Sequence, residues 1–79
     1  GNLLASQGML DDAVPHFEAT IRIMPGWAKV HNNLGSALLA QGKIDEAIAH
    51  FQAALRIQPG YAIAQENLRE ALRRQHKKQ

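Results

Sequence analysis

The sequence predicts an all-α fold in which antiparallel helix–turn–helix repeats stack as an α-solenoid. Three observations predict it. The 79-residue chain matches itself when slid by 34 residues, with 14 identities among the first 28 aligned pairs. Apolar residues recur at spacings of three and four, which places them on one face of a helix. Glycine and Pro-Gly recur at the same offsets in each period, where a helix would stop. A self-match of this kind marks a repeat architecture, in which each unit buries its apolar face only against its neighbours.

The register of the match is well defined. Gly8, Asp11, Ala13, His16 and Phe17 fall on Gly42, Asp45, Ala47, His50 and Phe51. Arg22, Ile23, Pro25 and Gly26 fall on Arg56, Ile57, Pro59 and Gly60, and Trp27 falls on Tyr61. Asn33, Leu34, Ala37 and Leu38 fall on Asn67, Leu68, Ala71 and Leu72.

Each element has its own justification. Gly1 aligns with Gly35, so the chain is expected to open inside a first helix of only about two turns. A helix near 10–24 follows, with the stripe Leu10, Ala13, Val14, Phe17, Ile21 and Met24. Pro15 is expected in its first turn, where a backbone N–H has no intrahelical partner. Behind so short a first helix, Val14, Phe17 and Ile21 are expected to face water. Val30, Leu34, Ala37 and Leu38 define a helix near 28–41, and Gly42 suits a left-handed C-cap. Ile44, Ala47, Ile48, Phe51, Ala54 and Leu55 define a helix near 44–58. Asp45 and Glu46 sit at its start, where the helix dipole favours them, and Pro59-Gly60 ends it. Ala64, Leu68, Ala71 and Leu72 mark a last helix that begins near Ala62 and runs into a basic tail.

Composition narrows the function classes. There is no cysteine, which excludes disulfides and thiolate metal sites. No apolar run approaches the roughly 20 residues of a membrane span, and the N-terminus lacks a signal-peptide layout. The expectation is a soluble chain, cytoplasmic by default. Net charge is +2, but unevenly placed. From Arg69 onward, five basic residues against Glu70 give +4; the first 68 residues, with four basic and six acidic side chains, give −2. The basic balance therefore belongs to the tail. No aromatic residues interleave with those charges and no nucleic-acid motif is present, which argues against nucleic acid and against an anionic membrane as partners.

No catalytic constellation stands out. Asp11-Asp12 and Asp45-Glu46 read as helix-start charges, not as acid/base pairs. His16 and His50 repeat with the unit, and no histidine has a partner at firm ligand spacing, so no metal site is expected. No phosphate-cradling glycine loop and no nucleophile with a base occur. The chain is expected to be a non-enzyme without cofactors. Trp27 and Tyr61 are expected to pack over the Pro-Gly turns.

Within one complete period, Leu34-Gly35, Leu38, Gly42, Ala47, Phe51, Ala54 and Pro59 resemble the tetratricopeptide repeat, whose signature is W-x2-L-G-x2-Y…A-x3-F…P. His31 takes the place of the usual aromatic residue and Leu38 that of the usual tyrosine. Ankyrin repeats would need a T-P-L-H-type turn, and the period of 34 argues against RNA-reading pentatricopeptide repeats. The resemblance implies a right-handed solenoid and a single domain over 1–79. Its parts would be a partial repeat at 1–27, a complete repeat at 28–61, and a C-terminal capping helix with the basic tail at 62–79. Arg69 stands where Gly35 lets paired helices approach, which fits a last helix that no second helix covers. The chain is expected to be the C-terminal portion of a longer array.

The resemblance also places function on the concave surface, lined by the first helix of each unit. Lys29, Asn32, Asn33 and Ser36 are its candidates in the complete unit; Glu66, Asn67, Glu70 and Arg74 follow one period later, and Asn2 one period earlier. Asn33 and Asn67 precede the signature leucine. The run Asn32-Asn33-Leu34-Gly35 is similar to repeats of the O-linked N-acetylglucosamine transferase superhelix, where an asparagine ladder holds peptide backbones. An amide both donates and accepts, so it can grip backbone with little sequence preference. The alternative for Asn33 is a local role toward helix-terminus groups or water. A carboxylate clamp fits less well: Lys29 and Asn33 match parts of one, but Ile63 and Asn67 stand where basic groups are needed. The leading expectation is a protein-interaction or scaffold module holding an extended peptide or partner protein. The rival is a self-assembling homo-oligomer, joined through the apolar edge of the truncated first repeat.

Overall fold

A computed structural model describes the backbone of residues 2–78 and the side chains of residues 12–77. Four helices follow one another, α1 (Asn2–Ile23), α2 (Ala28–Ala40), α3 (Ile44–Ile57) and α4 (Ala62–Lys78), and no strand occurs among the described residues. Sequential neighbours pack on each other, and α2 also touches α4.

The apolar stripes meet in one seam. Leu34 and Phe51 are wholly buried, with Leu38, Ala47, Ile48 and Ala71 around them. Val14, Phe17 and Ile21 of α1 and Leu68 of α4 pack onto this cluster. A second cluster, Ala28, Ala54 and Ala64, lies nearer the unit-joining turn and is covered by Leu55 and Tyr61. Small residues there let three helices approach closely. Burying a side chain of the size of Phe51 is worth about 1.5–3 kcal/mol, so the two aromatic and aliphatic centres dominate the seam.

The α2–α3 turn closes as the sequence suggests. Gly42 has φ +86°. The N–H of Lys43 donates to Leu38 O at 2.9 Å and that of Gly42 to Leu39 O at 3.0 Å. This pair of bonds satisfies carbonyls that the helix end would otherwise leave open.

The first unit departs from expectation in three ways. No turn separates a short first helix from a helix at residue 10: α1 runs unbroken from Asn2 to Ile23, through Gly8. At Gly42 the turn is held by the packing of α2 against α3. The short segment before Gly8 offers little apolar surface to hold a second such turn, whereas continuing the helix adds a hydrogen bond for each residue ordered. Pro15 consequently lies inside α1, not in a first turn. Finally, Val14, Phe17 and Ile21 do not face water; they are half-buried against the Leu34–Phe51 core, because α2 supplies the covering surface.

Candidate partner-binding surface

On α2 the residues outside the seam form one stripe. Lys29, Ser36 and Ala40 are exposed and Asn33 is half-buried, at spacings of four, three and four. The corresponding stripe of α4 carries Ile63, Asn67, Glu70 and Arg74, with Glu66 beside it. The two stripes are tied together by one side chain. Asn67 Nδ2 donates to Asn32 Oδ1 at 3.0 Å and to Ser36 Oγ at 3.3 Å.

Asn32 is 5% exposed, so its amide serves this cross-helix bond and not the surface. Both donors of Asn67 are spent in the same place, which leaves its carbonyl oxygen to offer outward. Asn33 keeps a half-buried amide at the centre of the α2 stripe. Lys29 and Glu66 are exposed, one on each helix. Asn2 lies outside the described side chains.

Glu70 is engaged within its own helix. It pairs with Arg73 and accepts from Arg74 Nε at 2.9 Å. The hydrogen bond from the Arg74 guanidinium, with Arg73 adding its charge, holds the Glu70 carboxyl below the ordinary carboxylate range. The net charge of this end of the stripe is therefore partly cancelled, and the free cations of the described tail are Arg69 and Lys77.

Apolar groups rim the unit-joining turns. Ile23 is 80% exposed, and Met24 and Trp27 remain open beside it. Tyr61 packs on the alanine cluster, whereas its counterpart Trp27 is 45% exposed. A pocket of about 250 Å³ lies elsewhere, at the Gly42 turn, lined by Lys43, Asp45, Glu46 and Gln75 among others. Gln75 Nε2 donates to Asp45 Oδ1 across it at 2.8 Å. This pocket shares no residue with the stripes of α2 and α4.

Among the described residues no group of three or more His, Cys, Asp or Glu could hold a metal ion, and no helix is long and apolar enough to cross a membrane. The cross-helix bonds of Asn67 escaped sequence reading, which put Asn32, Ser36 and Asn67 on one open surface. The separation of 35 residues between Asn67 and Asn32, one more than the period, was the available signal.

None of the curated proteins matches the chain. Residues 28–61 match the family model of the tetratricopeptide repeat. Repeats of that family are non-catalytic modules that generally mediate protein–protein interactions. The α2–α3 hairpin, with the turn that follows it, is thus a tetratricopeptide repeat.

Proposed function

We propose that the stripes of α2 and α4 form a groove that binds an extended peptide or a segment of a partner protein. The observation that carries this reading is the bridge from Asn67 to Asn32 and Ser36, which holds both helices and the amide itself in place. A preordered amide loses little side-chain entropy on binding, so more of each hydrogen bond appears as affinity. Asn33 and the Asn67 carbonyl would meet the peptide backbone, with Lys29, Ser36, Glu66, Glu70 and Arg74 flanking them. In this reading the helices continue a right-handed solenoid scaffold, and α4 is its cap.

Arg69 supports the capping role. Its counterpart Gly35 lies under the Phe51 ring, where even a Cβ would come within 2.6 Å. A helix carrying phenylalanine could not seat on α4 in the same manner.

Fluorescence anisotropy with a panel of labelled unstructured peptides tests the groove. Asn33→Ala should weaken a bound peptide by about tenfold, the scale of one hydrogen bond at a buried contact. Unchanged affinity in Asn33→Ala, or no peptide bound at all, would remove the reading.

Self-assembly is the second reading, favoured by the open Ile23, Met24 and Trp27 at the edge beside α1. Light scattering across a concentration series decides it. A strict monomer at high concentration eliminates a homo-oligomer.

A further inference from the structure

His31 and His50, 19 residues apart, meet between α2 and α3 with their Nδ1 atoms 3.3 Å apart. Their ring centres are 5.5 Å apart and the ring planes differ by 30°. The centre separation exceeds the Nδ1 separation by one ring radius at each end, so each Nδ1 lies on the line between the centres. The rings therefore meet edge to edge, with nitrogen pointing at nitrogen. That is hydrogen-bond geometry, not face stacking. Nor is it a chelate, because a shared metal would need the two lone pairs to converge at an angle on one ion.

One arrangement of hydrogens fits. His31 Nε2 lies 2.9 Å from the carbonyl oxygen of Pro25, which can only accept. Nε2 therefore carries the hydrogen, and in a neutral ring this leaves Nδ1 bare. The next period repeats the bond. Gln65 stands at the place of His31, and its amide Nε2, which can only donate, reaches Pro59 O at 2.8 Å. Donation to the proline carbonyl is thus a property of the position. With His31 Nδ1 bare, the hydrogen between the rings must come from His50 Nδ1.

We propose that the His31–His50 pair is an acid-sensitive latch that ties the Pro25 turn, α2 and α3 together while the pair holds at most one extra proton, and opens when both rings are charged.

The charges around it explain the threshold. His50 faces His31 from α2, Glu18 from α1 and Glu46 on its own helix α3. No described group of α4 bears on it. Burial, and then the His31 ring, push His50 below the ordinary value of 6.5, while Glu18 and Glu46 pull it partly back. With one extra proton the pair still sets one Nδ1–H against one bare Nδ1, so the bond survives. A second proton puts a hydrogen on both Nδ1 atoms, and the two N–H groups then meet. Two donors and two positive charges would then stand 3.3 Å apart.

The sign follows from linkage. At acid pH the unfolded chain protonates both rings freely, and the folded chain accepts one. The unfolded state then binds more protons, so stability falls as pH falls. It is fully present above about 6.5, the unfolded value, and is lost as pH drops through the lowered folded value.

Two measurements test the latch. In nitrogen NMR of the full chain near pH 8, where both rings are neutral, His50 should be the Nδ1–H tautomer and His31 the Nε2–H tautomer. His50 should take up its proton only below about pH 6.5, the ordinary value. In thermal melts between about pH 8 and pH 5, the wild type should lose on the order of 5 °C more than His50→Gln, the scale of one lost hydrogen bond in a domain of this length. Glutamine keeps a donor there and does not titrate. His16→Gln, the exposed counterpart one period earlier, should keep the wild-type loss. An Nε2–H tautomer at His50, titration of His50 at or above the ordinary value, or equal acid losses in wild type and His50→Gln would overturn the proposal. The NMR result decides the matter should His50→Gln not fold.

Discussion

A Cβ built on Gly35 would lie 2.6 Å from Cε1 of Phe51 and 2.7 Å from its Cδ1. The ring is wholly buried, so it cannot swing aside, and the α2–α3 hairpin closes only because position 35 has no side chain. Overpacking of this kind costs about 1–3 kcal/mol, of which the better helix propensity of alanine offsets up to about 1 kcal/mol. Gly35→Ala is expected to lower stability by about 1–2 kcal/mol in a denaturant melt. Gly60→Ala, with nothing within 4 Å of the added atom, is the control and should change little. Equal midpoints for the two variants would contradict the close approach.

Phe51 also tests how much the chain depends on one side chain. Phe51→Ala should cost about 3–5 kcal/mol through lost burial and a cavity between α2, α3 and α4. A domain of this length has a total stability of roughly 4–12 kcal/mol. Circular dichroism should therefore find a much lower melting temperature, with the variant unfolded at ordinary temperature if the total lies near the lower figure. A cooperative melt close to wild type would place the ring outside the core.

Asn67→Ala should weaken the fold as well as the surface. It leaves the Asn32 oxygen buried without its donor, a loss of about 1–3 kcal/mol. A double-mutant cycle between the two positions should return a coupling of about 0.5–1.5 kcal/mol. Additive single-site effects would mean that the two amides do not share a bond.

Pro15 bears on the continuity of α1. Inside a helix, proline removes a backbone donor and crowds the carbonyl four residues earlier, at a cost of about 3 kcal/mol. Pro15→Ala is expected to raise both the helical signal and the melting temperature. If neither moves, Pro15 occupies a first turn and the helix begins near residue 10.

Much of the architecture was legible along the chain. The stripes through Leu34 and Phe51, the left-handed glycine at Gly42 and the stop at Pro59-Gly60 are local or periodic features, read from spacings of three, four and 34. The α2–α3 hairpin ends within a residue or so of the expected bounds for that reason. That Lys29, Asn33 and Ser36 share a helix face outside the seam was legible too, since a helix face follows from spacing alone. The fate of Asn32 was not. It adjoins that stripe in sequence, yet the lateral approach of α4 turned it into a buried bridge to Asn67.

The sequence by itself determined that the apolar pattern and the Pro-Gly stops repeat every 34 residues and which face of each helix is apolar, because these follow from the order of residues along the chain. Tertiary structure alone decided that Asn67 clasps Asn32, that His31 meets His50, and that α1 runs through Gly8. The first two depend on how far one helix is rotated and shifted against another, which the apolar period leaves open by one residue either way. The third depends on whether a turn has packed helices on both sides to hold it: Gly42 has them, and at Gly8 the chain gains more by staying helical.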